Sequence, residues 1–428
     1  MTSTLTTSTK RYGQLIAGEW IEAEGGRTFN DIDPSRPAAS VIGSELIPAL
    51  NLPRTLFAAG ALSALAAELG ALGMRRPLLV TDRGLVAAGL AARAVTACGD
   101  GAAPVLFDGV TTNPLFADVD GGYALYSRQG CDGVVALGGG SVIDTAKLIA
   151  LLATNGGLVA DYAGVPNAAH GPAAPLIVIP TTAGTGSEAS PSAGIHPDAT
   201  MPSVGMNSRH LVPRVAILDP ELTWSLPSRL TAATGIDALS HCIEGYLSKK
   251  ELPLGKSIAL DGIKRVARYL RRAVADGNDA VARAELVLAA YAGGVSIGMG
   301  LGPAHAVAIV CSDQGFPHGV LSGIGLVATL GATARHVPER VAAVADAFGL
   351  QTPEALAPAI ASLMRELGLP ASLAELGYQT NDFARLANAA HGSHFNLSAP
   401  FHPTGSEYEA MIATSLAHSD AVRRHTAA

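Results

Sequence analysis

The stretch TGIDALSHCIEG (Thr234–Gly245) carries an aspartate and a histidine four residues apart. On a helix that spacing puts Asp237 and His241 on one face, where a carboxylate and an imidazole can share one divalent ion. Glu244, three residues further on, can orient the histidine by accepting its second ring N–H. The same spacing also serves an ordinary helix-face hydrogen bond. A second stretch, LGPAHAVAIVCSDQGFPHG (Leu301–Gly319), holds His305 and His318 among apolar and small residues. Together the two stretches make one aspartate and three histidines available. One oxygen and three nitrogen donors suit Fe2+ or Zn2+ better than Mg2+ or Ca2+. The nine other histidines, His391 and His394 of HGSHF among them, read as surface or loop residues.

Two further stretches fit a phosphate-bearing ligand. GVVALGGGSVIDTAK (Gly133–Lys147) reads as a strand, a glycine turn and a helix start. Gly138, Gly139 and Gly140 let an anion approach the backbone closely, and Ser141 and the helix N-terminus offer it donors. The pattern is neither a GxGxxG fingerprint nor a GxxxxGK[ST] loop. A tight strand-to-helix turn needs similar glycines. PTTAGTGSEAS (Pro180–Ser190) follows the next apolar strand and brings the hydroxyls of Thr181, Thr182, Thr185 and Ser187 to the same edge. Asp82 ends the strand PLLVTD, where a carboxylate can accept from ribose hydroxyls and repel a 2′-phosphate.

The elements that position these residues alternate. From about Leu56 to Pro220, apolar strand runs (RPLLVTD, PVLFDGV, CDGVVALGGG, PLIVIPTTAG) alternate with helical runs (AAGALSALAAELGALGM, GLVAAGLAARAVTAC, FADVDGGYALYSRQG, SVIDTAKLIALLATN). That order predicts a parallel, Rossmann-like α/β sheet covered on both faces, with ligands at the carboxyl ends of its strands. From about Glu221 onward, long Ala/Leu-rich runs predict an all-α domain. Residues 11–44 alternate around a Gly-Gly pair and read as a short β-hairpin, with residues 1–10 disordered ahead of it and PALNLPR as a linker behind. The expected division is 1–52, 53–220 and 221–428.

Bulk properties narrow the classes. The chain has 428 residues, 48% hydrophobic and only 15% charged, as befits a globular protein with sizeable cores. A net charge of −7 argues against a nucleic-acid or anionic-membrane partner. The four cysteines are scattered with no CxxC pair, which fits a reducing cytoplasm. No segment reads as a signal peptide or a transmembrane span.

These landmarks, in this order, resemble the iron-containing (group III) alcohol dehydrogenases. RPLLVTDRGL, Asn113–Pro114, CDGVVALGGGSVIDTAK, IPTTAGTGSEAS, AILDPELTWSLPSRLTAATGIDALSHCIEGYLS and HAVAIVCSDQGFPHG carry the resemblance, from about Pro53 to the C-terminus. It implies a nucleotide-binding domain, a helical domain, and a metal between them on Asp237, His241, His305 and His318. It places the pyrophosphate of NAD on Gly139–Ser141 with Asn113, Thr181 and Thr182 nearby. Gly138, Asp144 and Thr185 are counted in the same cofactor site, and an aspartate at Asp82 goes with NAD rather than NADP. The implied reaction passes hydride between NAD(H) and a small alcohol or aldehyde, with Fe2+, or Zn2+, as Lewis acid. A homo-oligomer, dimer or higher, is expected.

Departures from the family pattern are specific. Ile309 stands where the family usually has another active-site histidine, four residues after the third ligand. The segment from His305 to His318 is one residue short. HPDATMPSVGMNSRH lacks the lysine often found after the SE loop, and SAPFHPTGSEYEA replaces a common NPR. The ligands are untouched; proton relay, cofactor affinity and substrate pocket are affected. Alternative readings are a superfamily relative (hydroxyacid–oxoacid transhydrogenase, glycerol dehydrogenase, maleylacetate reductase) or a catalytically weak relative kept for binding or assembly. Separately, LIAGEWIEAEGGRTFNDIDPSRP resembles the opening hairpin of aldehyde dehydrogenases, which implies an added edge strand or subunit contact.

Overall fold

The computed structural model describes residues 50–417, except 166 and 167, together with two short strands near the N-terminus. Those strands, β1 (Gln14–Ile16) and β2 (Glu19–Ile21), pair antiparallel with Leu15 opposite Trp20, as the hairpin pattern requires. The remainder of residues 1–49, and with it most of the aldehyde-dehydrogenase-like segment, lies outside the described residues. Residues 50–417 group as one compact unit.

The central sheet has six parallel strands. In chain order they are β3 (Arg54–Phe57), β4 (Pro77–Val80), β5 (Val105–Phe107), β6 (Gly133–Gly138) and β7 (Leu176–Pro180), followed after a separate hairpin by Val215–Leu218. That hairpin is β8 (Ser192–Ile195) with β9 (Val204–Asn207), paired antiparallel, so Val215–Leu218 is β10. The spatial order is β3-β10-β7-β6-β4-β5. Every residue of β4, β6, β7 and β10 is buried, which is why β4, β6 and β7 read as unbroken apolar runs. Helices α1 (Leu65–Ala71), α2 (Arg83–Ala87), α3 (Leu90–Ala97), α4 (Phe116–Gln129) and α5 (Gly140–Asn155) connect the strands.

Alternate side chains build two cores. Leu79, Val135, Leu137, Ile177 and Ile179 face one way, into a core closed by Leu65, Leu69 and Ala94. Leu78, Val80, Val134, Ala136 and Val178 face the other way. That second core runs on without a break into the helical half: α6 (Ser228–Leu247), α7 (Pro253–Ala275), α8 (Ala280–Ile297), α9 (Pro303–Val310), α10 (His318–His336), α11 (Pro338–Phe348), α12 (Leu356–Glu366), α13 (Leu373–Leu376), α14 (Phe383–His391) and α15 (Gly405–Ala417). Each fully buried Leu, Ile or Val contributes roughly 1.5–3 kcal/mol of burial free energy. The continuity of this core is what fixes the helical half against the sheet.

Some sequence expectations need amendment. GLVAAGLAARAVTAC is two helices, because Gly89 between them has φ of 76°. PALNLPR was read as a linker, yet the strand β3 begins at Arg54, directly after its proline; it is a short edge strand with mostly exposed side chains. The β8–β9 hairpin gives no strand signal, being short and carrying glycine and polar residues, and β10 (VAIL) is an apolar strand that the sequence reading did not include. Helix α8 is long and apolar enough to cross a membrane by composition, with mean hydropathy 1.4, but 61% of it is buried between other helices. Its Arg283 is 1% exposed and donates to Thr231 Oγ1 and to the Leu226 and Gly277 carbonyls.

Candidate active site

Helix α6 carries Asp237 and His241 one turn apart, buried at 3% and 4% exposure. Helix α9 brings His305, at 1% exposure, and His318 opens α10 with a half-exposed ring. One ligand atom from each lies within 4.8 Å of the others. Asp237 Oδ1 is 3.8 Å from His241 Nε2 and 3.8 Å from His318 Nε2. The rings of His241 and His305 stack at 4.9 Å, and His305 and His318 lie tilted at 5.5 Å. Close helix approach permits this: a Cβ on Gly319 would sit 2.3 Å from the Ala233 carbonyl oxygen and 3.1 Å from Asp237 Cβ. The glycine after His318 therefore lets α10 begin against α6.

The contacts around the four residues set their chemistry. Ser322, one turn into α10, donates to Asp237 Oδ1 at 2.9 Å. Glu244 does orient a histidine, but it is His305 and not His241. Its Oε2 lies 2.5 Å from His305 Nδ1, and its two oxygens also accept from the backbone N–H groups of Ala304 and His305 at 2.8 and 3.2 Å. The reason is positional: the first N–H groups of α9 have no partner within their helix and draw the carboxylate to them. With Nδ1 taken, the buried Nε2 of His305 has no hydrogen-bond partner and is left for the cluster.

Electrostatics shift Asp237, His241 and His318 toward the forms a metal would need. Burial pushes the His241 imidazole down to about 4, against an upward pull from Asp237. Burial likewise lowers His318. For Asp237 burial acts upward, but His241, His318, His305 and the Ser322 hydroxyl together outweigh it and hold the carboxyl below its ordinary value. Near neutral pH these groups are neutral imidazoles around a carboxylate, the protonation states a metal requires. Four converging donors, one of them an orphaned buried imidazole nitrogen, fit a divalent transition metal.

The second group of residues gathers at the carboxyl ends of the strands. Gly138 ends β6, Gly139 caps α5 with no side-chain hydrogen bond, and Gly140 begins that sixteen-residue helix. Thr181 and Thr182 follow β7, whose end is tied to β6 by a bond from Thr181 N–H to the Gly138 carbonyl at 3.0 Å. The hydroxyl loop lies directly on the glycine turn. A Cβ on Gly139 would meet Thr182 Cγ2 at 3.1 Å, and one on Gly140 would meet Thr185 Cγ2 at 2.8 Å. Thr182 Oγ1 is buried without a hydrogen-bond partner. An uncapped helix N-terminus beside an unsatisfied hydroxyl fits a phosphate-bearing cofactor.

Three expected cofactor residues are already engaged. Ser141 Oγ donates to the Thr112 carbonyl at 2.6 Å, which draws the loop bearing exposed Asn113 over the helix start. Asp82, at the end of β4, caps α2 by accepting from Leu85 N–H at 2.9 Å with Oδ1. Asp144 accepts from Gly194 N–H at 2.9 Å and so docks β8 on α5, while its buried Oδ1 has no hydrogen bond and lies 3.9 Å from Lys147 Nζ.

Sequence reasoning missed several contributors. Lys147, fully buried, donates to the Ser190 and Ser192 carbonyls and to Ser190 Oγ, anchoring the loop after Thr185 to α5. Burial lowers its amine to about 8 and raises the neighbouring Glu188 carboxyl to about 7. Ser322 was accessible to spacing, being four residues after His318. Phe395, whose ring lies 5.7 Å from that of His305, comes from a distant turn and had no local signal.

The same loop joins the two sets of residues. Gly186 has φ of 67°, and a Cβ there would lie 2.3 Å from Gly294 N; a Cβ on Gly294 would lie 2.0 Å from Gly186 O. Backbone meets backbone, so the hydroxyl loop of the sheet is seated on α8, beside the helix that carries Asp237.

A parallel nucleotide-type sheet beside a buried Asp/His cluster defines a class of metal-using, cofactor-dependent protein, and comparison with known sequences specifies it. The iron-containing alcohol dehydrogenase model matches residues 53–220, and the C-terminal model of the Fe-containing alcohol dehydrogenase family matches 231–416. The chain therefore belongs to the iron-containing alcohol dehydrogenase family, and it is an oxidoreductase. It is 39% identical over 370 residues to a 4-hydroxybutyrate dehydrogenase of Cupriavidus necator, covering 83% of this chain and 96% of that one. Among solved structures, 1,3-propanediol oxidoreductase aligns with a TM-score of 0.82 at 32% identity, over 87% of this chain and all of the other. Sulfoacetaldehyde reductase from Bifidobacterium kashiwanohense, solved with NAD+, aligns with a TM-score of 0.78 at 30% identity, over 85% and 97%.

Proposed function

We propose that this chain is a metal- and NAD(H)-dependent dehydrogenase interconverting a small primary alcohol and its aldehyde. The observation that carries the reading is the convergence of Asp237, His241, His305 and His318, all within 4.8 Å, with the Asp237 carboxyl held below its ordinary value and the His241 imidazole pushed down to about 4. In this reading residues 53–220 serve the cofactor and 221–428 the metal, with Asp237, His241, His305 and His318 holding Fe2+ or Zn2+. The bound metal supplies Lewis-acid polarisation of the alcohol or aldehyde oxygen, and the nicotinamide supplies or accepts the hydride.

The chain's own residues do the positioning. Glu244 fixes the tautomer and the orientation of His305. Ser322 restrains the Asp237 carboxylate. The start of α5, with Gly139 and Gly140, receives the pyrophosphate, and the Thr182 hydroxyl offers it one more donor. The carboxylate of Asp82 at the end of β4 favours a free ribose 2′-hydroxyl over a 2′-phosphate.

The test is direct. The purified protein is assayed for bound iron and zinc and for NADH formation with a panel of short alcohols. About one metal per chain with turnover supports the reading. Stoichiometric metal with no turnover on any alcohol or aldehyde overturns it in favour of a binding role.

A further inference from the structure

The wall beside the metal-ligand cluster contains a histidine with nothing to bind. Residues His394–Leu397 form a short helical turn packed against α9. Its Phe395 ring faces His305 at 5.7 Å, and the His394 ring lies against Phe395 at 4.1 Å. On its far side His394 meets β9, where a Cβ on Gly205 would come within 3.9 Å of Cε1 and 4.0 Å of Nε2. His394 thus stands one ring away from a metal-ligand histidine and touches the hairpin docked on α5. Neither of its ring nitrogens has a hydrogen-bond or ion-pair partner among the described residues.

The turn that carries it is held rigidly. Asn396 donates to the Ala390 and His391 carbonyls and accepts from Tyr408 at 2.6 Å. Ser398 donates to the Leu301 carbonyl at 2.9 Å, just ahead of α9. A side chain carried on a fixed turn, with no ring partner among the described residues, is a preorganised recognition group. Desolvation keeps the His394 imidazole below its ordinary pKa, hence neutral at pH 7 with one donor and one acceptor nitrogen. Neither 192–207 nor 393–404 contains a lysine or arginine. Ile309, one turn after His305 on the same face of α9, adds only an apolar wall.

We propose that His394 reads the far end of the substrate. The reacting oxygen sits at the Asp237–His241–His305–His318 cluster, the alkyl chain runs past Phe395, and a second, uncharged hydroxyl bonds the free imidazole. The substrate class is a short α,ω-diol or the matching hydroxyaldehyde rather than a carboxylate-bearing alcohol. This rests on the dehydrogenase reading above and assigns its specificity to a residue outside the metal set.

The experiment compares kcat/KM for 1,4-butanediol with 1-butanol, and for 1,3-propanediol with 1-propanol, in the metal-loaded wild type, His394→Leu and His394→Gln. Bound metal and melting temperature are measured for each. The wild type prefers the diol of each pair. His394→Leu lowers the diol-to-mono-ol ratio by about 3- to 10-fold, mainly through KM, as loss of one hydrogen bond requires. His394→Gln, which keeps a donor and an acceptor, restores part of the ratio. An unchanged ratio, or an equal fall for both alcohols, overturns the role of His394 while leaving the dehydrogenase reading intact. A wild type that prefers 4-hydroxybutyrate to the diols overturns the uncharged class. No turnover of any alcohol by the metal-loaded wild type overturns both readings.

Discussion

Glu244 Oε2 and His305 Nδ1 lie 2.5 Å apart across the interface of α6 and α9, both buried. The pair fixes which nitrogen of His305 remains available, because a ring that donates through Nδ1 presents Nε2 as a lone pair. The same carboxylate holds the backbone start of α9, so one side chain sets both the tautomer and the seat of the helix.

Glu244→Gln keeps the size and one acceptor oxygen but removes the charge. Its metal affinity falls by about 10–100-fold, the usual range for loss of such a partner. Metal retained after dialysis against a graded chelator series measures it, and an affinity equal to wild type refutes the orienting role.

His318 is the most exposed of the four proposed ligands, so its replacement leaves the core intact. His318→Ala loses bound metal and turnover together while its far-UV circular dichroism stays that of wild type. Full activity in this variant removes His318 from the ligand set.

Acid stability of the metal-free protein follows from His241. Its imidazole takes up a proton from about pH 6.5 downward when unfolded, but only near 4 when folded. The unfolded state therefore binds more protons in that window. Stability is fully present above pH 6.5 and declines as pH falls toward 4, by about 3 kcal/mol from this group. Urea melts at pH 7, 6, 5 and 4 read the decline. A flat profile shows that His241 is not held neutral by the fold.

Gly294→Ala drives a methyl group into the Gly186 carbonyl, where no flexible side chain can yield. The loop after β7 and α8 must part, at a cost of about 1–3 kcal/mol. Thermal melting and NADH titration are expected to change together, since this loop lies on the glycine turn at α5. Loss of stability without weaker NADH binding separates the packing from the cofactor site.

Asp82→Asn keeps the helix cap to Leu85 while removing the charge. The preference for NAD+ over NADP+ falls by about tenfold, equivalent to roughly 1.4 kcal/mol of relieved repulsion. The ratio of kcat/KM for the two cofactors measures it, and an unmoved ratio takes Asp82 out of cofactor selection.

Much of this protein was legible in its sequence. Strands β4, β6 and β7 are buried on both faces and so announce themselves as apolar runs, and the glycine turn of β6 marks the helix start that follows. Asp237 and His241 are paired by helical spacing alone. Strand β3 has mostly exposed side chains and takes its identity from pairing with β10, far away in the chain, so no local pattern revealed it. His394 shows the same limit: beside His391 it reads as a surface histidine, and only the packing of its turn on α9 places it next to Phe395 and the cluster.

The sequence by itself determined the fold class and offered the glycine turn and the Asp/His residues that cluster, because these depend on periodicity and on side-chain chemistry. Only the tertiary structure decided how they are used. Glu244 serves His305 and not His241 because the start of α9 lies against α6. The hydroxyl loop after β7 meets the helical half because Gly186 and Gly294 let two backbones touch. These are relations between segments distant in the chain, set by how buried faces pack, and local sequence does not encode them.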